Sequence, residues 1–255
     1  MKREYQYNFS ITSASESMYD IPSRERKAKT MVAVLGDFVE KPLSDCRLLN
    51  VGGSAGIIDN YLADYFLSVT GIDIDEPAVM YARKNFAKPN LEFQIGDALN
   101  LPFQDNKFDV VICSQVYEHV PDAHKMMDEI FRVLSPGGVC YFAAGNRLMW
   151  NEPHYNLPLL SVVPRPLAHM YIRAMGKAHH YHELHYSYWG LRNLVKSFVV
   201  HDYTLKMIRD PQKYSIEYMI APGSVKAFIA GFIAKHIRWL CPSFIWLLKR
   251  PVLKA

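Results

Sequence analysis

The chain has 255 residues, half of them hydrophobic, which suffices for one sizeable α/β domain with an appendage. Its net charge of +4 is too small to indicate a nucleic acid as partner. The first ten residues contain no apolar core of a signal peptide, and the four separated cysteines are expected to be buried, reduced thiols, so a cytoplasmic protein is expected.

Strand and helix patterns alternate from residue 23 to residue 144. The first helix is predicted over residues 23–39, with Ser23 as its N-cap. Further helices are predicted at residues 57–67, 77–86 and 122–134, and strands at 47–51, 67–74, 91–95, 108–114 and 139–144. This repeat is typical of a three-layer, doubly wound parallel sheet.

The alternation lapses between residues 145 and 186, which are rich in Pro, His, Tyr and Met and are predicted to form a helical insert. A helix is predicted at 188–198. Strands are then predicted at 199–208 and 214–220, joined as a hairpin by the turn at 209–212.

A glycine-rich turn follows the first strand, in the sequence LLNVGGSAG at residues 48–56. A strand, a glycine turn and a helix N-terminus together let a nucleoside cofactor approach the backbone closely. Asp73 ends the second strand, 17 residues after Gly56, where its carboxylate can accept hydrogen bonds from both ribose hydroxyls. The order of these features predicts a cofactor site.

Four segments resemble, in order and spacing, the class I S-adenosylmethionine-dependent methyltransferases. They are LLNVGGSAG at 48–56, VTGIDID at 69–75, IGDALNLPFQDNKFDVVICSQVYEHV at 95–120 and LSPGGVCYF at 134–142. Residues 108–120 with the following PGG turn are most similar to members that act on small molecules and lipids. The resemblance implies a Rossmann-like sheet of seven strands with the last strand antiparallel, and S-adenosylmethionine as cofactor.

The resemblance also implies roles for individual residues. Asp73 would hold the ribose, Ile74 would pack on one adenine face, and Asp97 would accept a hydrogen bond from the adenine amino group. Ser114 and Gln115 would face the methionine end and the acceptor. The full set implied to bind the cofactor is Asn50, Gly52, Gly53, Gly56, Asp73, Ile74, Asp97, Ala98, Ser114 and Gln115.

The chain departs from the family pattern at two positions. Asn50 stands where the family usually has an acid, and Ser54 stands where it often has glycine. An asparagine can still form hydrogen bonds, but it removes a charge that would favour the ammonium group of the cofactor. A non-catalytic relative that keeps the fold is therefore one alternative.

The candidate catalytic residues lie just past the fourth and fifth strands. Methyl transfer from a sulfonium needs mainly positioning and exclusion of water, and a hydroxyl acceptor gains from a nearby base. His119 follows the fourth strand, and His154 and Tyr155 lie in a Pro-bounded loop after the fifth. The alternatives are a packing or capping role for His119 and a solvated loop for His154.

A dense group of histidines lies at the end of the insert. It comprises His179, His180, His182 and His185, interleaved with Tyr181, Glu183 and Tyr186. Because the order lacks a recognised metal spacing, the group is predicted to form a wall of the acceptor pocket, and no metal site is predicted.

Residues 221–255 are predicted to be a basic, apolar appendage to a domain at 1–220. Apolar residues recur at helical spacing from 225 to 240, and the run FIWLL follows at 244–248. The segment contains no acid but six bases, Lys226, Lys235, Arg238, Lys249, Arg250 and Lys254. Charges interrupt it too centrally for a spanning helix, so peripheral contact with an anionic membrane is predicted, with Trp239, Phe244 and Trp246 in the interface. The alternative is a tail that folds back or forms a dimer.

The predicted function is O-methylation of a membrane-associated glycan or lipid-linked acceptor at the inner face of the cell membrane. The apolar, basic insert is expected to suit such an amphiphilic acceptor. C- or N-methylation of a quinone or small metabolite is one alternative, and a non-catalytic binding partner is another. A nucleic acid acceptor is not expected, because the positive charge is confined to apolar segments. The oligomeric state is left open.

Overall fold

The computed structural model describes residues 16–252 and has a seven-stranded mixed sheet with helices on both faces. The strands are β1 (Arg47–Val51), β2 (Ser68–Asp73), β3 (Leu91–Ile95), β4 (Phe108–Ser114), β5 (Leu134–Gly145), β6 (Asn151–Glu152), β7 (Leu157–Pro158), β8 (Val199–Asp202) and β9 (Ser243–Lys249). The large sheet has the order β3-β2-β1-β4-β5-β9-β8, and β6 and β7 pair with each other in a second, two-stranded sheet. β9 runs antiparallel to both neighbours, so the predicted fold class is confirmed.

Nine α-helices occur in the described part of the chain. They are α1 (Glu16–Tyr19), α2 (Ile21–Phe38), α3 (Ile57–Leu62), α4 (Glu76–Asn85), α5 (Ala123–Val133), α6 (Arg165–Ala174), α7 (Tyr188–Leu194), α8 (Thr204–Arg209) and α9 (Val225–His236). The start of the chain, on which the expectation of no signal peptide rests, and residues 253–255 lie outside the described residues.

The central strands supply alternate residues to two cores on opposite faces of the sheet. Leu49 and Val51 of β1 pack in one core with α5 and α7, whereas Leu48 packs in the other with α2. Successive side chains of a strand point to opposite faces, so a strand covered on both sides is nearly continuously apolar, as β4 is from Val110 to Cys113. This double burial holds the carboxyl ends of β1, β2, β4 and β5 at one edge of the sheet.

The predicted strands of the first half agree with the structure, and the three predictions at 47–51, 91–95 and 108–114 match residue for residue. The helix predicted at residues 23–39 corresponds to α2, which begins two residues earlier than predicted. Its N-cap is Asp20 rather than Ser23, because Asp20 Oδ1 accepts the backbone N–H of Ser23 and Pro22 occupies the first turn.

The predicted terminal hairpin is wrong. β8 stops at Asp202, whose Oδ1 accepts the backbone N–H of Thr204 at 2.9 Å, and α8 begins there. Residues 214–220 form turns rather than a strand. The place beside β5 is taken instead by β9, which contains the apolar run predicted to touch a membrane.

The predicted boundary at residue 220 is therefore wrong as well, because β9 inserts between β5 and β8. Phe244 and Trp246 are fully buried in the core of the sheet, which excludes them from the predicted membrane contact. Among the described residues of this segment, most of the exposed apolar side chains lie between residues 221 and 240. No helix within residues 16–252 has both the length and the apolar character needed to cross a membrane.

The insert after β5 has one helix, α6, preceded by the short β6–β7 hairpin. It has a small core of its own, formed by Leu157, Leu160, Ala168, Ile172 and Tyr181. This packing gives the insert a fixed shape beside the carboxyl edge of the sheet.

Candidate cofactor and acceptor site

A cavity of about 810 Å³ lies at the carboxyl edge of the sheet, a size usual for small-molecule sites. Its walls are the glycine turn after β1, the ends of β2 and β4, and the insert. The sequence-predicted residues that line it are Asn50, Gly52, Gly53, Gly56, Asp73, Ile74, Ala98, Ser114, Gln115, His119 and His154. Residues predicted to bind the cofactor and residues predicted to act as a base thus line one cavity.

The glycine turn is held against the end of β2. The backbone N–H groups of Gly52 and Gly53 both donate to the carbonyl oxygen of Ile72, at 2.9 and 3.1 Å. Gly56 has φ of 74°, and a Cβ there would lie 2.6 Å from Ala82 Cβ, so both conformation and packing require glycine. The chain can therefore form a backbone cradle at this point.

Asp73 fastens the same turn. Its Oδ2 accepts the backbone N–H of Ser54 at 2.7 Å, and its Oδ1 accepts that of Asp75 at 2.9 Å. Burial raises the pKa of Asp73, and these two backbone donors act against that rise. A carboxylate has about four acceptor positions, so backbone donors can share this carboxylate with the ribose hydroxyls that the sequence predicts as ligands.

Asp97 does not line the cavity, although its neighbours Gly96 and Ala98 do. Its Oδ1 accepts the backbone N–H of Leu99 at 2.7 Å. The predicted contact with the adenine amino group therefore stays a prediction.

The two candidate bases lie side by side. The rings of His119 and His154 are 4.9 Å apart and nearly perpendicular, and both residues line the cavity. His154 Nδ1 is hydrogen-bonded to Glu152 Oε1 at 2.6 Å. Glu152 is fully buried and also contacts His185 Nε2 at 3.3 Å and the backbone N–H of Tyr155 at 3.0 Å.

This network shifts both partners towards their charged forms. Burial alone would raise the pKa of Glu152, but its hydrogen bonds with His154 and His185 outweigh burial and lower the pKa to about 2. Burial lowers the pKa of His154, yet the hydrogen bond to Glu152 and the charges of Glu152, Glu183 and Glu118 raise it above the ordinary value. An ionised Glu152 therefore holds and orients the imidazole of His154.

Tyr155 packs against the core of the insert. Its ring packs 5.7 Å from that of Tyr181 in the core of the insert, and Tyr155 is absent from the cavity lining of the described chain. The backbone of Tyr155 supports Glu152 and its side chain packs against the core of the insert, so its predicted catalytic role stays a prediction.

The histidine group at the end of the insert divides in the structure. His185 is buried and lines the cavity, while its part in an acceptor wall stays a prediction. His179, His180 and His182 are exposed instead. Two sets of side chains place possible ligand atoms within 4.8 Å of one another, namely Glu118 with His119 and His154, and Glu152 with His154 and His185. The 2.6 Å contact of His154 with Glu152 is a hydrogen bond, the geometry of a carboxylate-oriented imidazole.

Sequence reasoning missed two cations and one acid in the cavity region. Arg24 and Lys27 of α2 line the cavity, and burial lowers the pKa of both. Nothing in the helical pattern of α2 indicates which of its faces meets the glycine turn. Glu152 belongs to the same loop as His154 and Tyr155, but its burial depends on the packing of the insert, which the sequence does not show.

Comparison with known proteins adds to this geometry. Residues 49–142 match the family model described as "Methyltransferase domain". A Mycolicibacterium smegmatis protein named "Probable S-adenosylmethionine-dependent methyltransferase/" is 35% identical over 112 residues, which is 44% of this chain and 42% of that protein. A Coxiella burnetii ubiquinone biosynthesis O-methyltransferase is 33% identical over 104 residues, which is 40% of this chain and 44% of that protein. The chain thus matches less than half the length of these curated relatives.

The similarity of fold extends further than the similarity of sequence. The structure of an S-adenosylmethionine-dependent methyltransferase from Methanosarcina mazei superposes with a TM-score of 0.56 at 19% identity, covering 86% of this chain and 97% of that one. The similarity of fold thus covers about twice as much of this chain as the 44% and 40% covered by the two curated relatives.

Proposed function

We propose that this chain, whose residues 49–142 match the model of a methyltransferase domain, is a class I S-adenosylmethionine-dependent methyltransferase that methylates a hydroxyl oxygen of an acceptor bound beside His154. The observation that carries this proposal is the hydrogen bond between Glu152 and His154 at the cavity wall. Since Glu152 occupies Nδ1, the nitrogen that accepts a proton is Nε2. A base of this kind suits a hydroxyl, whose proton must leave as the oxygen is methylated.

The residues of this chain divide the work in a simple way. When bound, S-adenosylmethionine supplies the methyl group and the thioether leaving group. The glycine turn and Asp73 hold the nucleoside, and Ser114 and Gln115 lie where the two reactants meet. As the new bond to carbon forms, the acceptor proton passes to Nε2 of His154, and ionised Glu152 stabilises the imidazolium.

Arg24 and Lys27 fit the same scheme. They lie in the wall of the cavity, where Arg24 is half-buried and Lys27 is exposed, so their positive charges can neutralise a carboxylate such as that of the methionine end. Their placement leaves the insert side of the cavity for the acceptor.

Methyl transfer itself tests this proposal. The protein incubated with isotope-labelled S-adenosylmethionine and a cell-envelope extract is expected to yield a labelled product that carries the methyl on oxygen, identified by mass analysis. Asp73→Ala is expected to weaken cofactor binding by about tenfold to a hundredfold, because charge-assisted hydrogen bonds are lost, and calorimetry measures this. A folded chain that binds no S-adenosylmethionine, or that methylates only carbon or nitrogen, would contradict the proposal.

The acceptor is proposed to lie at a membrane, because α9 exposes an apolar surface. Val225, Phe228, Ile229 and Phe232 of α9 share one side of the helix and are 75%, 77%, 52% and 52% exposed. We call these four residues the α9 face. Lys226 and Lys235 are exposed on either flank, and the segment from residue 221 to residue 240 contains no acid. Apolar side chains between cations suit the interface of an anionic membrane.

The chain leads from the end of α9 to the rim of the cavity. Trp239, stacked on exposed Trp189, lies just before Pro242 and Ser243, which line the cavity. Asn146 at the end of β5 donates to the carbonyl oxygens of Trp239 and Cys241 at 2.8 and 2.7 Å and fixes this connection. A membrane against the α9 face would therefore lie near the cavity mouth, as a lipid-linked acceptor requires.

The double variant Phe228→Ser/Phe232→Ser is expected to release the protein from vesicles of phosphatidylcholine and phosphatidylglycerol. Each phenylalanine removed from the interface is expected to lower affinity by roughly tenfold or more, given about 1.5–3 kcal/mol for full burial of such a side chain. Co-sedimentation measures the bound fraction at low and high salt. Met80→Ser, an equally exposed apolar position on α4 beside the opposite edge of the sheet, is the matched control and should still pellet. Wild-type protein that stays in the supernatant would contradict the membrane proposal.

A further inference from the structure

Beneath the glycine turn lies a buried acid that the sequence motifs do not include. Asp59 of α3 is 0% exposed. Asn50 Nδ2 donates to its Oδ1 at 2.5 Å, and its Oδ2 has no hydrogen-bond partner among the described residues. A buried carboxylate oxygen without a donor is costly, which calls for a reason.

Two glycines make room for this carboxyl group. A Cβ at Gly53 would lie 2.6 Å from Asp59 Oδ2, and a Cβ at Gly71 would lie 2.2 Å from it. The carboxyl group therefore sits between the glycine turn and β2. It does not line the cavity itself, but Asn50 does.

The hydrogen bond fixes which end of the Asn50 amide remains for a ligand. Because Nδ2 is taken by Asp59, the remaining strong acceptor of the side chain is its carbonyl oxygen. An acceptor backed by a carboxylate suits a positively charged group.

Among the described residues, the charge that acts on Asp59 is the negative charge of Asp73. Burial raises the pKa of Asp59 to about 7, the charge of Asp73 adds to the rise, and the Asn50 hydrogen bond opposes it. Asn50 on β1, Gly53 on the turn and Gly71 on β2 are neutral, so Asp73 is the charged group that acts on it from the neighbouring strand. A cation bound at the turn would supply the compensation that the protein itself does not.

We propose that Asp59, acting through Asn50, is the anion of the cofactor-binding turn and positions the cationic amino-acid end of S-adenosylmethionine. The acid that the resemblance places at position 50 is thus supplied from α3. This inference rests on the proposed use of S-adenosylmethionine and adds a positioning residue to it.

One consequence is a link between cofactor binding and protons. A cation at the turn favours the ionised form of Asp59, so binding releases a proton at neutral pH. Affinity for S-adenosylmethionine is then expected to rise with pH as Asp59 ionises, and to level off above that range.

A charge-swap experiment tests the inference. Dissociation constants for S-adenosylmethionine are measured by calorimetry from pH 6 to 8, in buffers of different ionisation enthalpy, for wild type, Asp59→Asn, Asn50→Asp and the double variant Asn50→Asp/Asp59→Asn. Asp59→Asn is expected to bind about tenfold to a hundredfold more weakly and to lose most of the proton release. Asn50→Asp alone places two carboxyl groups at hydrogen-bond distance from each other. Its affinity for S-adenosylmethionine is expected to depend on pH more steeply than that of the wild type. The double variant, which keeps one carboxylate in the pair, is expected to recover affinity to within a few-fold of wild type.

The outcomes separate this inference from the proposed function. Wild-type protein that does not bind S-adenosylmethionine removes both. Wild-type binding together with unchanged affinity and proton release in Asp59→Asn overturns the role of Asp59 alone. Circular dichroism checks that each variant is folded. If Asp59→Asn is unfolded, the double variant decides the question. A double variant that is folded but binds S-adenosylmethionine weakly overturns the inference.

Discussion

A chain that stops after residue 220 is expected not to fold. It lacks β9, which forms the contact between β5 and β8. Phe244 and Trp246 are both fully buried, and removing a buried Phe or Trp side chain costs about 3–5 kcal/mol each. Two such losses approach the whole stability of a typical domain, about 5–15 kcal/mol, before the unpaired strand edges are counted. Far-UV circular dichroism and thermal unfolding measure the result.

A chain that ends after residue 252 is the matched control, because it keeps β9 and its hydrogen bonds to both neighbours. It is expected to unfold cooperatively at the temperature of the full chain. Cooperative unfolding of the chain that ends at residue 220, at a similar temperature, would show that β9 is dispensable after all.

Glu152→Gln is expected to lower turnover by roughly 10²–10⁴-fold and to move the pH dependence of the rate. In the wild type, the rate should rise with pH as His154 loses its proton, through a pKa above the ordinary histidine value. Glutamine removes the negative charge that raises this pKa, so the rising limb should move to lower pH while the maximum rate falls. Rates measured from pH 5 to 9 with saturating cofactor record both effects.

His154→Ala and His119→Ala complete the test. His154→Ala should remove the rising limb, whereas His119→Ala should keep it, because Glu152 contacts His154. Affinity for the cofactor should be unchanged in both variants. Loss of the limb in His119→Ala with full activity in His154→Ala would identify His119 as the base.

Much of the first half of the fold, from β1 to β4, follows from local signals in the sequence. β1, the glycine turn and β2 each combine an apolar run with a residue type that ends it, and such signals need no knowledge of distant residues. The strand beside β5 is different, because residues 214–220 and 243–249 both have strand-like patterns. Only packing chooses between them, and the fully buried Trp246 is part of the reason for the choice.

The same distinction applies to the site. The glycines and Asp73 are predictable because their roles depend on one turn, and His119 and His154 are predictable as loop residues after strands. The pairing of Glu152 with His154 and the pairing of Asp59 with Asn50 depend on how the insert and α3 pack. Neither pair has a distinctive spacing, so the sequence contains no sign of them.

The position of β9 in the sheet also has a consequence for synthesis of the protein. β5 ends at residue 145, but its antiparallel partner begins at residue 243. At roughly 5–20 residues per second, a ribosome needs on the order of 5–20 s to make the intervening chain. During that interval the edge of β5, with Tyr141 and Phe142, has no strand to pair with. The nascent chain therefore exposes an apolar strand edge, where chaperones would be expected to bind.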